Sequence, residues 1–307
     1  DFKGVARLIE KETGIPVIPV ATDGLKSYVS GVGLAIREWI RRFGDRTLLP
    51  DDSVDRMEQL RKYGVNLLGV TPIDFSSMEN VNALKRSFTD AGIPVNTCFA
   101  MGDSFENLTK VYCGAVNVAV SSAGRIPARY LAGTAGIPWV EGLPMGETMT
   151  RRLIAAVRQA AEGGAPRRAA EDADPASEGV PGGNDAFPEA EAQGKQDTVL
   201  VIGEELWART LAGALHAGEL CRRHGLFTKA LWPDVDEGLD EDLLIAQVNA
   251  ARAVIGDPLF RVVLRNRDTA FIPFPHEGYS GRIFRKDIPV FASPEYDPEA
   301  LLAKIFP

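Results

Sequence analysis

Residues 65–99 read VNLLGVTPIDFSSMENVNALKRSFTDAGIPVNTCF, and this stretch decides the fold class. It opens on an apolar run, Val65 to Val70, passes through helical spacing from about Met78 to Ala91, and closes on a second apolar run, Pro94 to Phe99. Short continuous apolar runs are strands buried on both faces, and a helix between two of them is a crossover that joins parallel strands.

The same rhythm continues on both sides. Toward the N-terminus, Ile15 to Val20 (IPVIPV) reads as a strand and Val32 to Phe43 as an amphipathic helix ending at Gly44. Toward the C-terminus come a helix near Ser104 to Val111, a strand from Val116 to Val120, a helix around Ile126 to Ala132, and a strand over Gly136 to Val140. After residue 197 the pattern restarts with Thr198 to Ile202 (TVLVI) and a helix from about Glu204 to His224 capped by Gly225. A strand at Phe227 to Leu231, a helix from Glu241 to Ala251 and a strand at Ala253 to Ile255 follow, then short strands at Val262 to Leu264 and Pro289 to Phe291. Right-handed crossovers favour a doubly wound arrangement.

Between these halves, residues 161–196 hold six Gly, four Pro and nine Ala, and eight acids against three bases. Such a stretch buries too little apolar surface to offset its ordering entropy and reads as a flexible linker. The expected fold class is α/β with two Rossmann-like domains whose mostly parallel sheets are flanked by helices. Residues 1–160 form the first, 161–196 the acidic linker, and 197–307 a smaller second domain.

The chain has 307 residues and a formal net charge of −8, which argues against a nucleic-acid partner. No apolar run reaches the roughly 18–20 residues of a membrane helix, and the N-terminal stretch lacks the pattern of a signal peptide. Three cysteines and three histidines are too few for a disulfide scaffold. A soluble, reduced, cytoplasmic protein is expected. The chain starts inside a helical pattern without a Met, as though something precedes it.

Open parallel sheets bind ligands at the C-terminal ends of their strands, so the loops there carry the candidate chemistry. The Thr22 to Gly33 loop, with Thr22, Asp23 and Gly24 at its start, reads either as an anion seat built from backbone amides or as a long turn that caps a helix. Ser121, Ser122 and Arg125 follow a strand and read either as an anion or cofactor seat or as a capped turn with a solvated Arg. Gly142 to Gly146 reads the same way, and Asp74 reads as a helix or turn cap. No GxGxxG follows either first strand, which gives ordinary dinucleotide binding little support. His216, Cys221 and His224 span too much of one helix to share an ion and read as a packed Cys with surface histidines. Cys98 and Cys113 read as buried thiols. His276, in the irregular loop Phe271 to Arg282 beside Tyr279, is a candidate for ligation or proton transfer.

Three pieces in order resemble the nitrogenase component 1 superfamily: Ile15 to Val20 followed by Thr22-Asp23-Gly24, Val116-Asn117-Val118 followed by Tyr130-Leu131 and Gly136 to Trp139, and His276 ahead of Tyr279-Ser280-Gly281. The resemblance implies three-domain subunits, of which this chain would supply the second and third. It implies a subunit or fragment of a nitrogenase-like reductase that pairs with a homologous second subunit and takes electrons from an ATP-dependent iron protein. A scaffold or carrier for a metallocluster precursor or tetrapyrrole is the alternative, and a small-ligand-binding protein of unrelated two-domain type a plainer one. In the catalytic nitrogenase subunit of that family a cysteine just after the strand matching Val116 to Val120 ligates the iron–molybdenum cofactor, and here Ser121 stands there. A hydroxyl is a poor substitute for a thiolate. His276 falls about where the family places its second cofactor ligand. The resemblance therefore allows an iron–sulfur or related metallocluster in the full assembly and none on this chain alone, which is expected to be silent by itself and not to reduce dinitrogen. Thr22, Asp23, Gly24, Ser121, Ser122, Arg125, Gly142, Gly146, Tyr279 and His276 would line the pocket, with Arg125 steadying an anionic group and His276 as the catalytic or metal-binding residue.

Overall fold

The computed structural model describes residues 2–22, 27–51, 53–163, 184–185, 197–233 and 241–306. Two parallel sheets are built from the apolar runs. The first holds β1 (Val65–Val70), β2 (Val95–Ala100), β3 (Val116–Ala119), β4 (Trp139–Glu141) and a two-residue edge, β5 (Asn184–Asp185), in the order β2-β1-β3-β4-β5. The second holds β6 (Thr198–Ile202), β7 (Phe227–Leu231), β8 (Ala253–Gly256) and β9 (Ala270–Pro273), in the order β7-β6-β8-β9. Every pair of neighbouring strands is parallel. In each sheet the first strand lies between the second and third, so chain direction across the sheet reverses beside it; that reversal opens a crevice at the strand C-termini.

All six residues of β1 and all five of β6 are buried, as strands covered on both faces require. Helix Tyr28–Phe43 packs on helix Arg125–Ala135 over one face of the first sheet. Helix Gly146–Glu162 buries Met149, Leu153, Ile154 and Val157, touches β3 and β4, and packs on helix Glu205–His216 of the second half. One continuous apolar core therefore runs through both sheets, from Leu67 and Val118 to Val201, Trp207, Phe274 and Phe291.

The structure corrects several sequence expectations. Among the described residues Ile15 to Val20 pairs with no strand; Pro16 and Pro19 lack the N–H groups a ladder needs. The helix read as starting at Val32 starts at Tyr28. The span read as one helix to His224 breaks into Glu205–His216 and Glu219–His224. The break lies where Glu299 docks: its Oε1 accepts the Leu220 N–H at 2.6 Å, and a Cβ on Gly218 would collide with the same carboxylate. Val262 to Leu264 is not a strand; the 3-10 helix Pro258–Val263 covers most of it. Pro289 to Phe291 is likewise no strand, because the Phe291 N–H donates to Asn80 Oδ1 at 2.8 Å. The fourth strand of the second sheet is β9, whose residues 271–273 fall in the run read as irregular loop. Helix Gly146–Glu162, unread in the sequence, extends into the stretch taken as linker. The rest of that stretch, apart from Gly163 and β5, lies outside the described residues. Among the described residues no helix is long and apolar enough to cross a membrane.

Candidate functional site

The C-terminal ends of the two sheets' inner strands face one another, and the loops that leave them build the site. After β1, the Thr71 hydroxyl accepts the Asp74 N–H at 3.0 Å and donates to Asp74 Oδ2 at 2.7 Å, which fixes the buried carboxylate of Asp74. Tyr28, first residue of its helix, donates its hydroxyl to Asp74 Oδ1 at 2.6 Å. Burial, and then the charge of Asp74, push the Tyr28 phenol far above its ordinary range, so it remains a donor.

His276 comes from the second sheet, just beyond β9, and is 8% exposed. Its Nδ1 accepts the Gly278 N–H at 3.0 Å, which assigns the ring proton of the neutral form to Nε2. Nε2 lies 3.3 Å from Asp74 Oδ1 and off the line of a good hydrogen bond. Asp257, directly after β8, holds the loop: its Oδ2 accepts the His276 N–H at 2.8 Å and the Ser280 hydroxyl at 2.7 Å, and its Oδ1 accepts the Leu259 N–H at 2.9 Å. A histidine, an aspartate and a tyrosine are thus brought together from three separate stretches of chain.

Beside them lies a pocket of about 370 Å³ lined by Ser27, Tyr28, Val29, Ser122, Gly203, Glu204, Glu205, Trp232, Pro233, Phe260, Gly278 and Tyr279. Tyr279 packs its ring 5.3 Å from His276 and 5.1 Å from Phe260. Glu204, directly after Gly203 at the end of β6, caps helix Glu205–His216: Oε2 accepts the Trp207 N–H at 2.9 Å, and Oε1 accepts the Ser122 N–H of the other sheet at 2.8 Å. Burial, reinforced by Asp74, pushes the Glu204 carboxyl above the usual carboxylate range, against hydrogen bonds from Ser122 and the Trp207 N–H.

The sequence-predicted residues divide. Ser122 and Tyr279 line this pocket. Ser121 does not: it is 1% exposed and its hydroxyl donates to the Gly69 carbonyl at 2.7 Å. Gly69 has φ +88°, and a Cβ there would stand 2.6 Å from Ser121 Oγ, so the ends of β1 and β3 seal against each other. Arg125 is no free anion seat: its guanidinium bonds Glu141 at 2.7 and 3.1 Å and Glu205 at 2.5 and 2.8 Å. Those carboxylates outweigh burial and hold its pKa above the ordinary value. Gly142 donates to Ala119 O and Gly146 to Ser293 O; neither lines the pocket. Thr22 stands apart from the pocket lining, and Asp23 and Gly24 lie outside the described residues. Tyr28 falls within the Thr22 to Gly33 loop expected at the pocket, Asp74 reads in sequence only as a cap, and Asp257 and Glu204 carry no site reading in the sequence.

The donor set does not fit an iron–sulfur cluster. Among the described residues, no group of three or more His, Cys, Asp or Glu is placed to hold a metal ion. Cys98, Cys113 and Cys221 are free, buried and absent from the pocket. Burial raises all three thiols, Cys98 to about 12 and Cys221 to about 11, away from the thiolate a cluster needs. Among the described residues, His276 and the Asp74 carboxylate 3.3 Å from it belong to no group of three or more such ligands.

The fold and site define a doubly wound α/β protein with a ligand cleft between two strand-end crevices. The family model described as nitrogenase component 1 type oxidoreductase matches residues 1–218. The chain belongs to that family. It is 35% identical over 99 residues to a subunit of the light-independent protochlorophyllide reductase of Nostoc punctiforme, a match covering 32% of this chain and 20% of that relative. The same-named subunit from Acaryochloris marina is 32% identical over 103 residues, covering 33% and 20%. The matched stretch thus spans about a fifth of these relatives. A solved structure titled "Nitrogenase Cp1 at pH 6.5" superposes over 99% of this chain and 72% of its own with TM-score 0.52 at 12% identity, which shows a shared fold.

Proposed function

We propose that this chain is part of a subunit of a nitrogenase-like reductase and does not itself reduce dinitrogen. The observation that carries the reading is the family match over residues 1–218; the similarity to subunits of light-independent protochlorophyllide reductase supports it. In this reading residues 1–160 and 197–307 are two Rossmann-like domains joined by the 161–196 linker, working in the cytoplasm with a homologous second subunit and an ATP-dependent iron protein. Iron–sulfur ligation falls to residues outside this cleft.

His276 delivers the proton that accompanies reduction. Its Nε2 lies buried 3.3 Å from the Asp74 carboxylate, close to the pocket but not in its lining, and Asp74 orients the ring for proton transfer. Tyr28 and Thr71 hold Asp74 in place, and Asp257 holds the His276 backbone. Ser122 and Tyr279 border the bound substrate.

The test is co-expression with the homologous second subunit and iron protein, followed by ATP-dependent reduction of protochlorophyllide. The assembly should turn over, the isolated chain should not, and His276→Ala should lower the rate about 100-fold or more with assembly intact. An intact assembly that reduces nothing, or a His276→Ala variant at full rate, overturns the reading. Retention of a coloured tetrapyrrole without turnover would mark a carrier instead.

A further inference from the structure

Charge around the cleft is unevenly matched. Arg125 and Arg209 are both engaged by Glu141 and Glu205. That leaves Asp74 and Glu204, both buried, with His276 as the titratable base nearest them. Among the described residues no Lys or Arg lines the pocket, whereas Tyr28, Trp232, Phe260 and Tyr279 do. Nearby, His276 Nε2, on a residue more than nine-tenths buried, has no hydrogen-bond partner in good geometry. Aromatic faces attract cations and stack on flat rings, and a recessed carboxylate rejects another anion more strongly than one in water would. At about 370 Å³ the pocket lies at the small end of ligand sites.

We infer that this pocket binds a flat ring bearing a cationic or N–H-donating nitrogen, seated between the aromatic side chains with its nitrogen toward Glu204, and that it excludes the carboxylate-bearing edge of a ligand. This reverses the anion seat expected at Ser121 to Arg125. The inference rests on the reductase reading only in treating the occupant as a substrate.

Binding is measured on the full chain without partner, reductant or ATP, so its outcome is separate from that of the turnover assay. The probes are benzamidinium, neutral benzamide and benzoate, nearly the same shape with different charge, followed by calorimetry or ligand-observed NMR. Benzamidinium should bind about tenfold or more tightly than benzoate, with benzamide between them. Glu204→Gln, which keeps shape and one acceptor, should remove most of that preference. Trp232→Ala should weaken benzamidinium and benzamide alike. Benzoate binding as tightly as benzamidinium, binding of none of the three, or a folded Glu204→Gln variant with unchanged preference each overturns the inference. If Glu204→Gln does not fold, the wild-type order of the three probes and the Trp232→Ala loss decide it.

Discussion

Glu204 lies at the pocket with its two oxygens held by backbone N–H groups, whereas Glu205, the next residue, faces Arg125 and Arg209 across the same helix start. Burial pushes Glu204 above the usual carboxylate range. For Glu205 burial acts in the same direction, but Arg125 outweighs it and holds the group below that range. Two adjacent residues of one type thus do different work. Glu205 joins the two sheets by charge, and Glu204 is a buried acid at the pocket wall whose hydrogen-bond partners among the described residues include no Lys or Arg. A buried acid without a cation costs stability, which a fold retains where chemistry uses it.

The largest effect that could break this contrast is at Arg125. Replacing it by Ala leaves Glu141 and Glu205, among the described residues, with Arg209 alone, and should cost about 3 kcal/mol in urea unfolding. A loss within the scatter of surface substitutions would mean that the cluster does not join the sheets. Next is Glu205→Gln, expected to cost roughly 1–3 kcal/mol at neutral pH. Because the folded pKa of Glu205 is depressed, its contribution is present above the unfolded pKa and is lost as pH falls through the folded one. The variant's deficit should therefore shrink in acid. Smallest is Glu204→Gln, at about 1 kcal/mol or less near neutrality, since the amide oxygen still accepts one of the two N–H bonds. The folded pKa of Glu204 is raised, so its contribution is present below the unfolded pKa and is lost as pH rises through the folded one. Its deficit should shrink toward alkaline pH, the opposite slope to Glu205→Gln. Parallel slopes would erase the distinction.

The fold was legible where local pattern and tertiary role coincide. Val65 to Val70 and Thr198 to Ile202 are apolar, short and buried on both faces, so period and burial agree. Ile15 to Val20 has the composition of a strand, but its prolines remove the donors, and composition alone does not report pairing. Helix Gly146–Glu162 was hidden because its buried Met149, Leu153 and Val157 are interspersed with Arg, Ala and Gln on the way into a low-complexity stretch. Within the site, His276, Ser122 and Tyr279 were visible as polar or aromatic residues in loops. Glu204 and Asp257 were not. Each is an acid one residue beyond a Gly at the end of an apolar run, Gly203 after β6 and Gly256 at the end of β8. That placement is the available signal, since the strand order that makes those two ends neighbours is a tertiary fact. Arg125 misled for the same reason: in sequence it is a cation after two serines, and only the packed sheets bring Glu141 and Glu205 to it.

The contrast between the two glutamates is tested most directly by carboxyl-carbon NMR titration of the folded full chain with both side chains assigned. Glu204 should titrate above the ordinary glutamate range and Glu205 below it. Coincident midpoints, or Glu205 titrating above Glu204, would contradict the account.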